Sequence, residues 1–229
     1  MALQLRDYLI TGRTFEEYMA FFDLDFKTLR GKKVLDCPSG VSSFVANARA
    51  LDIDAHGCDI IYNYDTASII KRAEDSIELI YQDVAWMANH NFDFYGSITK
   101  HRAHRENALE GFCKHFNDTH YTFQTLPKLS YGDKEFDLLL SSHLLFVYDE
   151  RLNLEFHLQS IHEMLRVTKE IRIFPLIDFK NSRQHHNDNF SPFVNTVLKT
   201  FNAKIVPVAF EFQPRGNAMM VIKSQNTQF

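Results

Sequence analysis

Residues 34–44, VLDCPSGVSSF, decide how this chain folds. A short apolar run closes on Asp36, passes through a tight Pro/Ser/Gly turn and opens a helix from about Ser42, with Phe44, Val45, Ala48 and Leu51 on one stripe. The first backbone N–H groups of a helix have no partner within it. A strand, a sharp turn and such a helix start therefore form a place for a nucleotide-like or carboxylate-bearing ligand. A second apolar stretch, 53–58, ends at Asp59, which stands 23 residues after Asp36. That is about the spacing that puts a carboxylate on a ribose beside the first loop. The chain reads first as a cofactor binder.

Working outward, 33–37 is the first strand and 53–58 the second, the first too apolar to be exposed on either face. Upstream, Thr14 and Glu17 form a capping-box start for a helix carrying Tyr18, Phe21 and Phe22, so 1–30 is expected to be a helical lid on one end of the sheet. Downstream, 62–120 holds two helical stretches and no convincing strand. The first, capped by Thr66, carries Ile69, Ala73, Ile77, Ile80 and Val84; the second, capped by Ser97, carries Ala108, Leu109, Phe112 and Phe116. Between them lies the aromatic segment WMANHNFDFYGS. Long insertions in compact domains are commonly functional, so this one is expected to cap the ligand site.

Alternation resumes with strands at 121–126, 136–141 and 171–176. Leu154, Leu158, Ile161 and Leu165 mark an amphipathic helix between the last two. Ser191 and Pro192 start a further helix through Val194, Val197, Leu198 and Phe201. Strands at 205–212 and 218–223, joined by PRGN, close the chain as a hairpin. The expected fold is α/β in a single domain spanning 1–229: a Rossmann-like, doubly wound, mixed seven-stranded sheet with an antiparallel terminal hairpin and a helical insertion after strand two.

Composition narrows the function classes. The 229 residues carry a net charge of -4 and are 45% hydrophobic, enough for one well-filled core and without a global field for nucleic acid. Lys100, His101, Arg102, His104 and Arg105 form a local cationic run, read as a solvated helix face. Three cysteines without a C-x-x-C pair argue against a disulfide framework and a zinc ribbon, and fit a cytoplasmic protein. Neither His101 with His104 nor His157 with His162 has a third ligand at metal spacing. The N-terminal stretch reads as neither signal peptide nor membrane anchor, and no segment is apolar for the ~18 residues a membrane span needs.

With these elements in order, residues 30–223 resemble the class I methyltransferases that use S-adenosylmethionine (SAM). The terminal hairpin separates this reading from a dehydrogenase. Asp36, Pro38, Gly40 and Ser42 stand where the family has an acid and three glycines, so only Gly40 keeps its glycine. Asp59 matches the ribose-binding acid, and Ile60 the apolar residue flanking adenine. LSYGDKEFDLLLSSHLLFVY (129–148) is similar to the family's run into strand four, and places Thr125 where an adenine-contacting Asp often stands. EMLRVTKEIRIFPL (163–176) resembles the family's helix running into strand five. LDCPSG, SSHLLF, RIFPL and the hairpin together resemble a bacterial group described only as SAM-dependent methyltransferases. The resemblance implies SAM as cofactor, with Leu126 and Ser142 joining the residues above at its site.

Gly40 permits positive φ or a close backbone approach, whereas Pro38 permits neither positive φ nor an N–H donor. The N–H groups of Val41 to Ser43 and the Ser42 and Ser43 hydroxyls are expected to face the methionyl carboxylate, with Asp36 near the ammonium. Asp59 is expected to accept both ribose hydroxyls. Methyl transfer from a sulfonium is an in-line displacement governed by alignment, and a base is needed only for a protonated nucleophile. His143, just past strand four, is the first candidate for base or substrate contact, Asp178 past strand five the second; Tyr148 is weighed beside them. Trp86, Phe92, Phe94 and Tyr95 could wall a substrate pocket. A small-molecule acceptor leads. An RNA or protein methyltransferase and a non-catalytic SAM-binding or interaction module remain the alternatives, with nucleic acid disfavoured by the charge and no membrane partner expected.

Overall fold

The computed structural model describes residues 8–82, 87–117, 119–177 and 190–224. Its centre is a seven-stranded sheet in the order β3-β2-β1-β4-β5-β7-β6. β1 (Lys33–Asp36) runs parallel to β2 (Asp54–Asp59) on one side and β4 (Phe136–Ser142) on the other. β3 (Tyr121–Phe123) pairs with β2 and β5 (Thr168–Phe174) with β4, both parallel. β7 (Ala218–Lys223) runs antiparallel between β5 and β6 (Lys204–Pro207). This is the expected mixed, Rossmann-like seven-stranded sheet with its last pair antiparallel. The chain leaves β1 toward β2 and returns on its other side as β4, so a crevice opens at the carboxyl ends of these strands.

Successive strand residues point to opposite faces, and both faces are buried. Val34, Leu138 and Leu140 pack under α1 (Phe15–Phe21), α3 (Phe44–Ala50), α4 (Thr66–Gln82) and α5 (Ile98–His115); the four-residue α2 (Phe26–Leu29) joins α1 to β1. Their neighbours Leu35 and Leu139 pack under α6 (Leu154–Val167) and α7 (Val194–Phe201). Among the described residues no helix is long and apolar enough to cross a membrane.

Several boundaries depart from the sequence reading for local reasons. α3 starts at Phe44 rather than Ser42, because the Ser42 hydroxyl accepts the Phe44 N–H and the Arg13 carbonyl accepts that of Ser43. Asp65, not Thr66, caps α4, its carboxylate accepting the Ser68 N–H at 2.9 Å, whereas Ser97 caps α5 as expected. β3 stops at Phe123 because residues 125–128 turn, the Lys128 N–H donating to the Thr125 carbonyl. β6 stops at Pro207, and the expected short hairpin opens into a longer loop whose Phe210, Phe212 and Gln213 reach the crevice. α5 packs on both α3 and α4, so part of the expected cap also serves as the crossover between β2 and β3.

Candidate active site

The loop after β1 and the end of β2 meet at one rim of the sheet. Gly40 adopts φ +53°, the left-handed region where a side chain is strained. Its N–H donates to one Asp59 carboxylate oxygen at 2.7 Å, and its carbonyl accepts the Tyr62 hydroxyl at 2.7 Å. The other Asp59 oxygen accepts the Ile61 N–H at 3.0 Å. Burial raises the Asp59 pKa to about 6, partly countered by these backbone donors, so the group is ionised at neutral pH.

Residues 8–13 wrap across this rim. The Arg13 carbonyl accepts both the Ser43 N–H at 3.1 Å and the Ser42 hydroxyl at 2.9 Å. The wrap is held further by the Ile10 N–H on the Ser76 hydroxyl and by the Arg105 guanidinium on the Gly12 carbonyl. Gly12 is required for closeness: a Cβ there would lie 2.2 Å from the Val41 carbonyl oxygen. The capping box then starts α1, with Thr14 and Glu17 reciprocally bonded. Glu17 is fully buried and forms an ion pair with Arg105, while the Tyr95 hydroxyl donates to the same carboxylate oxygen.

Two expectations for the cofactor site are corrected by this arrangement. Asp36 is fully buried beneath the loop and does not line the crevice; its oxygens accept from the Tyr18 hydroxyl at 2.8 Å and the Ser39 hydroxyl at 2.7 Å. Burial pushes its pKa up to about 8, so it is largely a neutral acid at pH 7 and is removed from any ammonium partner. The helix start is also closed: the Ser42 and Ser43 groups expected to meet a carboxylate already meet the Arg13 carbonyl.

A cavity of ≈ 190 Å³ extends from Asp59 to the end of β4. Its walls include Pro38, Gly40, Ser42, Asp59 and Ile60 from the first two strand ends. Thr125, Leu126, Ser142, His143 and Tyr148 complete that set from the sequence reading, and Asp178 and Trp86 lie outside the described residues. His143 has φ +55°, a left-handed conformation unusual for a residue other than glycine, and its N–H donates to the Phe174 carbonyl at 2.8 Å. Its Nδ1 lies 2.6 Å from the Ser142 hydroxyl. Burial first, then the charges of Arg13 and Arg105, hold the His143 pKa well below the usual histidine range, so the ring is neutral at physiological pH.

Sequence reasoning missed the wrap: Tyr8, Thr11 and Arg13 all line the cavity. The capping box at Thr14 located the helix that follows, but nothing local showed that the preceding residues fold back over the β1 loop. The cationic run does not make a charged surface. His101 and Arg105 are buried, and Arg102 is engaged by Glu78 and Glu106. Tyr95 is buried against Phe210 and Phe212, whereas Phe94 is 39% exposed. His157 bonds to the Asn153 and Leu145 carbonyls within the fold.

No family model matches the chain. It is 31% identical over 225 residues to the uncharacterized protein MJ0045 of Methanocaldococcus jannaschii, covering 96% of this chain and 98% of that protein. Among solved structures, the PH0226 protein of Pyrococcus horikoshii OT3 matches with a TM-score of 0.48 and 13% identity over 92% of this chain and 91% of that one. Magnesium protoporphyrin IX methyltransferase (ChlM) of Synechocystis PCC 6803, solved with bound SAH, matches with a TM-score of 0.48 and 10% identity over 92% and 82% of the two chains.

Proposed function

We propose that this chain, which belongs to the family of protein MJ0045 of Methanocaldococcus jannaschii, is a SAM-dependent methyltransferase acting on a small molecule. One observation carries the reading: Gly40 and Asp59 are joined by a hydrogen bond at the head of a single cavity that runs on to His143. The residues present fit the cofactor. Asp59 lines the cavity as an ionised carboxylate, and its lone pairs beyond those met by Gly40 and Ile61 can accept ribose hydroxyls. Ile60 and Leu126 offer apolar walls to adenine, with Thr125 at their edge as a neutral hydrogen-bonding group.

SAM, when bound, supplies a methyl group on a positively charged sulfur. The chain's part is to align the acceptor and exclude water, which the wrap of residues 8–13 over the rim favours. His143, neutral and next to Ser142, is suited to contact the acceptor through a ring nitrogen; its lowered pKa makes it a weak base, which favours an acceptor that has no proton to lose. Its left-handed backbone, held by the bond to Phe174, is the kind of local strain that concentrates at functional positions.

Titrating the purified chain with SAM by calorimetry is expected to show saturable binding, which Asp59→Ala weakens about tenfold or more, the loss of roughly one charge-assisted hydrogen bond. Unchanged affinity in the variant removes the site assignment. No observation favours an RNA target, since Arg102 and Arg105 are both engaged by glutamates.

A further inference from the structure

Beyond His143 the main cavity adjoins a second one, of ≈ 50 Å³. Arg13, Ile80, His143, Phe212 and Gln213 line both, so the two spaces share a wall at the end of β4. The second chamber is walled largely by rings: Phe21 and Phe174 are stacked at 4.7 Å between centroids, and Phe210 stands edge-on to both. Its charged groups are two arginines of different standing. Arg105 is matched by Glu17. Among the described residues Arg13 donates through one terminal nitrogen, Nη1, to the Thr11 carbonyl and hydroxyl at 2.8 Å each and to the Gly12 carbonyl at 3.2 Å. Among the described residues no carboxylate forms an ion pair with it.

We propose that the methyl acceptor is a small carboxylate with a flat apolar body, its carboxylate held by Arg13 and its body lying among Phe21, Phe174 and Phe210. This rests on the methyltransferase reading for the word acceptor, but not for the carboxylate site itself. Charge accounting points the same way. Near neutral pH Asp59 carries one negative charge, Arg13 one positive, the Glu17–Arg105 pair none, and Asp36 and His143 are largely neutral. SAM adds a net positive charge through its sulfonium, ammonium and carboxylate. The filled cavity then lacks one negative charge, which an anionic acceptor supplies. A planar guanidinium fork is well matched to a carboxylate, and Nε and Nη2 of Arg13 have no partner among the described residues.

The probe is benzoate, with benzamide as its neutral analogue, titrated calorimetrically into the full chain with and without saturating S-adenosylhomocysteine. Benzoate is expected to bind saturably and benzamide about tenfold or more weakly; equal binding of the two overturns the proposal, as does absence of benzoate binding in both conditions. Arg13→Gln is expected to weaken benzoate about 10- to 100-fold, the loss of charge-assisted hydrogen bonds, and to leave S-adenosylhomocysteine binding unchanged. A second arm separates the two sources of a carboxylate. If Arg13→Gln weakens S-adenosylhomocysteine but not methylthioadenosine, which lacks the amino-acid carboxylate, Arg13 serves the cofactor and the proposal falls. The benzoate-benzamide contrast in the unaltered chain needs no variant to fold. Failure of the methyltransferase reading shows differently, as Arg13-dependent benzoate binding without any binding of SAM or S-adenosylhomocysteine.

Discussion

The seam beneath the wrap and the rim of the cavity contain the same kinds of charged residue put to opposite uses. In the seam, Glu17 and Arg105 neutralise one another, and Asp36 is enclosed by the Tyr18 and Ser39 hydroxyls. At the rim, among the described residues, Asp59 is held by backbone N–H groups and Arg13 by neighbouring oxygens of its own segment. A buried charge must be matched or neutralised, whereas one that borders a cavity can keep bonding capacity for a ligand. Residue type alone does not separate these cases: Asp36 and Asp59 both stand at the ends of adjacent parallel strands.

The contrast is most exposed to failure at the seam. Glu17→Gln leaves the Arg105 charge buried without a counter-charge and is expected to destabilise the fold by about 3–5 kcal/mol, read by urea denaturation. A loss under 1 kcal/mol would mean that the pair contributes little and that the wrap is anchored elsewhere.

The two aspartates give the next largest difference, and it is one of pH. Asp36 has a folded pKa of about 8, above the ~3.9 of an unfolded aspartate, so its contribution to stability is complete below about pH 4 and is lost as pH rises through about 8. Asp36→Asn should remove a slope of up to about 1.4 kcal/mol per pH unit within that window, seen as a flatter stability profile than the unaltered chain shows. For Asp59 the informative quantity is binding: SAM affinity is expected to fall as pH drops below about 6, where its carboxylate gains a proton. A stability slope unaltered by Asp36→Asn, or an affinity indifferent to pH 6, breaks the distinction between the two carboxylates.

The smallest effect is expected at the loop itself. A Cβ on Gly40 would meet nothing within 4 Å, so Gly40→Ala should cost only the strain of a left-handed alanine, about 1 kcal/mol in a denaturation midpoint series. A loss several times larger would show that the loop tolerates no adjustment between Asp59 and Tyr62.

Much of the sheet was legible in the sequence because its elements carry local signals. Apolar runs closed by Asp36 and Asp59, the stripe from Leu154 to Leu165 and the capping box at Thr14 each follow from residue spacing alone. Gly40 was legible for the same reason, since a turn between strand and helix needs backbone freedom that glycine provides. These choices are made within a few residues of chain.

Tertiary structure decided what each polar group does, because that depends on neighbours far away in sequence. Asp36 becomes a neutral structural acid through Tyr18, the start of α3 is closed by the Arg13 carbonyl, and the cationic run is broken up by Glu17 and Glu78. In sequence Arg13 is one cation in a charged N-terminal stretch; the fold-back of residues 8–13 brings it to the cavity beside His143. Periodicity specifies which face of an element is buried, but the electrostatic balance of a site is set by which side chains the folded chain brings together.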